Sequence, residues 1–171
     1  MIALRNFAYH ATIPINIALI FWVWIGRALV GSGGWWVLLF LIYVVPVLII
    51  ALGLTTVLAI LQHRPASSGL LSGAQFISLV VLWLSMFGFG LFIVDFGDSK
   101  DSYSSAFSQI FGAGTLDVSD AISRIFAYST VLAWVTLLVF LIIGMQGRAE
   151  RKAFELQQGS EYDVVGWPSQ P

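Results

Sequence analysis

Apolar residues in this chain fall in four long, nearly unbroken runs separated by short polar punctuation, at about 7–30, 35–61, 70–94 and 121–144. Each reaches or exceeds the ~20 residues that a helix needs to cross a hydrocarbon layer of about 30 Å. Run length, more than any period within the runs, therefore predicts four membrane-spanning helices. The first run follows Arg5 and stops at Gly31-Ser32-Gly33-Gly34. It is longer than the roughly 7 to 15 residues of a signal-peptide core and ends without a small-x-small cleavage site, so it reads as a retained anchor. Pro46 inside the second run removes a backbone donor and predicts a bend. That run stops at the polar cluster Gln62-His63-Arg64-Pro65, and a short loop makes the second and third helices antiparallel neighbours.

Between the third and fourth runs, Ser102 to Gly114 reads as capping serines, an amphipathic turn with Phe107, Ile110 and Phe111, and a glycine stop. This predicts a short re-entrant or interfacial helix. The chain then enters the fourth helix through Thr115 to Asp120, with Asp117 or Ser119 as the expected N-cap. The fold class expected is all-α: a polytopic membrane protein of four transmembrane helices with this short external helix between the third and fourth.

Composition supports the pattern. Of 171 residues 58% are hydrophobic and 10% charged, with a mean hydropathy of +0.90, against about a quarter charged in a soluble domain. The expected organisation is a membrane domain over 1–146 and, over 147–171, a cytoplasmic helical extension with a flexible tail. In the extension, Arg151 and Glu155 form an i,i+4 pair. A net charge of −1 offers no grip on a phosphate backbone, which argues against nucleic acid as a partner. The absence of cysteine excludes disulfides, thiolate metal sites and thioester or prenyl anchors.

Orientation follows from flanking positive charge. Arg5, Arg64, Arg148, Arg151 and Lys152 share one side, and Arg27, Lys100 and Arg124 the other. Both termini are thus expected in the cytoplasm, in a multi-pass protein of the cell membrane. Trp22, Trp24, Trp35 and Trp36 gather at the first external turn as interfacial anchors. The external acids Asp95, Asp98 and Asp101 read as a solvated acidic loop, with a structural divalent cation as the lesser alternative.

Candidate chemistry is sparse. Within the spans the polar inventory is His10, Asn16 and Gln75, and the latter two suit hydrogen bonding between helices. Ser78, Ser85, Gly88 and Gly90 on the third helix, and Ser123, Ala127 and Thr130 on the fourth, mark close packing. Only His10 and His63 are histidines, and no metalloprotease, nucleophile-elbow or phosphate-loop motif occurs. No catalytic residue, cofactor or metal is expected, and the chain does not read as an enzyme.

The order outer helix, short helix, Gly112-Ala113-Gly114 and inner helix, with Arg124 followed by Ile125-Phe126, resembles a potassium-channel-like pore module over about 80–144. That resemblance implies a closed ring of copies with the fourth helix facing the axis. The chain departs from the family filter: Ile110 and Phe111 precede the first glycine and cannot supply the hydroxyl that replaces ion hydration.

Two functions follow as expectations. The first is a non-catalytic accessory, scaffold or assembly subunit that docks on a larger membrane complex. The alternative is a homo-oligomeric ion channel-like or small transport protein with a pore loop at 102–117. Its partners are expected to be the lipid bilayer and a membrane protein or further copies of itself. Asn16, Gly88, Gly112, Gly114 and Arg124 are the candidate interface or pore-loop residues.

Overall fold

A computed structural model describes residues 1–62, 70–96 and 103–164, with side chains as far as 147. The helices are α1 (Ile2–Trp24), α2 (Trp36–Gln62), α3 (Gly73–Phe92), α4 (Ala106–Phe111) and α5 (Leu116–Val164). A 3₁₀ turn at Gly26–Val30 follows α1, and another at Ala113–Thr115 leads into α5. The helices α1, α2 and α3 and the segment Ala113–Gly147 are each long and apolar enough to cross a membrane. Among the described residues no strand forms; Asp95 and Ser104 make one isolated antiparallel bridge.

The four apolar runs become four helices, with ends set by contacts that hydropathy does not carry. The chain leaves α1 at Trp24, well short of residue 30. Gly26 lies under the Trp22 ring, where a Cβ would come within 2.6 Å of an indole carbon, and the turn that follows directs Arg27 inward. In α2 the residues Phe40–Val44 form a π turn just before Pro46. A proline at 46 cannot donate to the carbonyl one turn back, and a wider turn absorbs the lost bond. The proline effect expected from sequence thus takes the form of a local change of helical register.

Ser72 starts α3 with a reciprocal capping box: Gln75 N–H donates to Ser72 Oγ at 3.2 Å, and Ser72 N–H to Gln75 Oε1 at 2.8 Å. α5 begins at Leu116 directly from the 3₁₀ turn, five residues before the apolar run. Neither expected residue caps it. Asp117 lies in the first turn, where a negative charge suits the helix dipole, and Ser119 is fully buried. The helix then continues for 49 residues, so span and extension are one element.

α3 is the central helix. It packs against α1 on one side and α5 on the other, and α2 packs against α1 and α5. Leu79, Leu82 and Met86 of α3 and Ala133, Leu137 and Leu141 of α5 contribute buried side chains to the common core. Close approach depends on two glycines of α3. A Cβ at Gly88 would strike the Phe126 ring, and one at Gly90 would strike the Trp22 indole. The outward faces are apolar as well: Ile50, Leu84 and Leu132 are all exposed. A helix apolar on every side fits a lipid surround.

Candidate functional site

The most densely bonded region lies where α1 ends, α2 begins and α3 ends. Ile93 leaves α3 in an extended conformation, which carries Asp95 back over the start of α2. The Asp95 carboxylate there accepts three backbone N–H groups: Gly34 at 2.8 Å, Trp36 at 3.1 Å and Phe96 at 2.9 Å. It thereby satisfies orphan donors at the start of α2. Gly34 is required by proximity, since a Cβ would run into the Phe96 carbonyl oxygen and the Asp95 carboxylate.

Arg27, carried in by the 3₁₀ turn, faces the same carboxylate with Nη2 at 3.3 Å from Oδ2. Both side chains are entirely buried. The guanidinium carbon lies 4.9 Å from the centre of the Phe40 ring, on the π turn of α2. Nε, Nη1 and Nη2 of Arg27 make no hydrogen bond; they are the buried side-chain nitrogen and oxygen atoms without one among the described residues. Burial pushes the Arg27 pKa below its ordinary value, and the Asp95 charge opposes that shift. The arginine stays cationic, because the guanidinium starts far above neutrality.

The returning chain is tied to this pair. The Ser104 carbonyl accepts both Asp95 N–H at 2.7 Å and Ser32 Oγ–H at 2.9 Å. Ser105 caps α4 in a box with Ser108, and its hydroxyl meets that of Ser119 at 2.7 Å. Ser119 in turn donates to the Phe92 carbonyl at 2.8 Å. α4 is thus joined to the end of α3 and the start of α5 through buried hydroxyls, with Phe107 packed on Phe92.

Two polar clusters lie deeper. Asn16 on α1 donates to Thr56 Oγ1 of α2 at 3.3 Å and accepts from Trp83 Nε1 of α3 at 3.0 Å. At the opposite end of the bundle, Gln75 Nε2 donates to Gln62 Oε1 at 2.8 Å and to the Phe140 carbonyl at 3.0 Å. Gly144 leaves room for Gln62, whose amide would collide with a Cβ there.

The five candidate residues of the sequence reading do not converge. Asn16 joins three helices in the interior, and Gly88 admits Phe126 between α3 and α5. Gly112 ends α4 at φ +102°, and Gly114 follows in the 3₁₀ turn, both exposed. Arg124 is 71% exposed and pairs with Asp120 one turn before it on α5.

Two expectations are corrected. Asp95 is not part of a solvated acidic loop but a buried capping carboxylate; Asp98 and Asp101 lie outside the described residues. Gln62 is a buried member of α2 and not a loop residue, while His63, Arg64 and Pro65 lie outside the described residues. Trp22 and Trp24 donate their indole N–H groups to the carbonyls of Phe87 and Val37, and of the four clustered indoles Trp35 alone is exposed. One signal could have found the buried pair: Arg27 is the lone charge inside the first apolar run, and Asp95 is the acid directly after the third. The sequence matches no protein-family model, no curated protein and no solved structure.

Proposed function

We propose that this chain is a non-catalytic integral membrane protein of the cell membrane that acts through protein–protein contacts, as an accessory, scaffold or assembly subunit of a larger membrane complex. Both termini face the cytoplasm on this reading, in keeping with the excess of positive charge on their side. The observation that carries it is the length of α5. Gln62 and Gln75 mark where α2 ends and α3 begins, beside Phe140 and Gly144. From Gly147 the helix runs on to Val164, roughly 25 Å further at 1.5 Å per residue. Its sequence there, opening with Arg148, Glu150, Arg151 and Lys152, suits an aqueous contact surface. The interior supports the same reading. Asn16, Gln62 and Gln75 are all engaged in hydrogen bonds between helices.

The test is purification of the full chain in a gentle detergent, native mass spectrometry, and identification of what co-purifies. A stoichiometric larger membrane subunit is the expected result. A clean homotetramer would overturn the accessory reading.

A second reading, the homo-oligomeric channel-like protein, is favoured by one observation: the exposed Gly112–Gly114 turn between α4 and α5, with Gly112 at positive φ. It predicts ion flux in proteoliposomes that Gly112→Ala and Gly114→Ala alter. The accessory reading predicts no flux from the chain alone.

A further inference from the structure

We propose that Arg27 and Asp95 form a charge latch: while Asp95 is ionised it holds the Gly26–Val30 turn and the Ser104 segment closed, and neutralising that carboxylate expels Arg27 and opens this end of the bundle. The inference stands independently of whether the protein is an accessory subunit.

The unequal bonding of the two partners carries it. Asp95 is fixed from three sides by the amides of Gly34, Trp36 and Phe96. Arg27 is held by attraction to that charge and by the Phe40 ring, with no hydrogen bond from any guanidinium nitrogen. A guanidinium removed from water is tolerated only while an opposite charge compensates it. Of the described residues, Asp95 is the acid that does so. A neutral side chain at 95 still offers an oxygen to the amides, but it leaves Arg27 as an uncompensated buried cation. The Arg27 turn ends at Gly31 at φ +87°, a glycine that gives its far end backbone freedom to move. It is also coupled to what it covers. Ser32 donates to the Ser104 carbonyl, and Gln109 of α4 reaches the Gly31 carbonyl at 3.4 Å. Movement of the turn therefore uncovers the Ser104 segment, which is now almost fully buried.

The absence of cysteine makes the test direct. A single thiol is placed by Ser104→Cys, at a position 7% exposed, or by Tyr103→Cys, 54% exposed, as the open reference. The rate of maleimide labelling is then measured on the full chain in detergent at one pH. In the parent, the thiol at 104 should react at least tenfold more slowly than that at 103. Asp95→Asn should bring the two within about threefold of each other. Adding Arg27→Met to Asp95→Asn should restore the slow rate, because the expelled charge is gone. Protection that persists in Asp95→Asn would overturn the latch. So would opening that Arg27→Met fails to reverse, since the amide bonds of Asp95 rather than its charge would then hold this region. Size-exclusion profiles cover folding: loss of the monodisperse peak in Asp95→Asn with recovery in the double variant supports the latch, and loss in both overturns it.

Discussion

Asp95 and Arg27 share a salt bridge but not its support, and their removal should differ accordingly. Asp95→Ala leaves a buried guanidinium without a counter-charge and three amides without an acceptor. Breaking a buried pair in this way costs about 3 to 5 kcal/mol. Arg27→Met leaves Asp95 with all three amide donors and replaces an unbonded guanidinium by an apolar chain against Phe40. Its expected cost is smaller than that of Asp95→Ala, because the three amide donors still compensate the remaining carboxylate charge. Thermal unfolding in detergent should therefore show a large fall in Tm for Asp95→Ala and a smaller one for Arg27→Met. Two glycines give a parallel contrast. Gly144→Ala drives a methyl into the Gln62 amide and should cost about 1 to 3 kcal/mol, as overpacking does. Gly53→Ala, also helical but with no atom within 4 Å of the new Cβ, should be neutral or stabilising by up to about 1 kcal/mol. Equal melting shifts for these two variants would contradict the packing at Gly144.

At the level of elements, α4 depends on its ends more than on its length. Six residues cannot hold a helix alone. The Ser105–Ser108 box, the Ser105–Ser119 contact and the extended, positive-φ stop at Gly112 fix it in place. Gly112→Ala forces a Cβ into an essentially glycine-only conformation, at about 1 to 3 kcal/mol. It should speed amide hydrogen exchange across 105–115, whereas Gly114→Ala should not, since Gly114 has no positive φ. How much of this was legible in the sequence divides along the same line. The four long apolar helices were readable because runs of ~20 apolar residues are their own signal, and the serines and glycines around α4 mark local backbone geometry. Run lengths say nothing of contacts between distant segments, and the misread residues are those that such contacts fix. Asp95 looked like the first acid of a wet loop because its partners Gly34, Trp36 and Arg27 are some sixty residues away. Ser119 looked like a cap because its acceptor is Phe92 of another helix, and Gln62 looked like a loop residue because Gln75 is on the next one. Asn16 was placed among the helices from its chemistry alone, but its partners Thr56 and Trp83 required coordinates.

For the whole molecule, bundle and extension make separable demands on α5. Its contacts with α2 and α3 through Trp134, Phe140 and Gly144 hold the bundle together: Trp134 donates to the Ala51 carbonyl, and Gln75 reaches the Phe140 carbonyl. All of these precede Gly147. A chain truncated after Gly147 should therefore keep the Tm of the parent within a degree or two by the usual scaling of small free-energy changes. If partner contact runs through the extension, as the proposed function has it, the same truncation should abolish stoichiometric co-purification while leaving the chain folded and monodisperse. Retained co-purification would move the contact to the outward faces of the spans. α2 is the first of these to test, because 11% of its most apolar stretch is buried within the bundle, against 44% for α3. Polar substitution of exposed Ile50 or Val57 on α2 would then separate a protein contact from a lipid-facing surface, because a buried contact loses its partner at either position. Failure of both the truncation and the α2 variants to release a partner would leave α5's outward face, with Tyr128 and Leu132 exposed, as the surface on which a ring of copies would have to close.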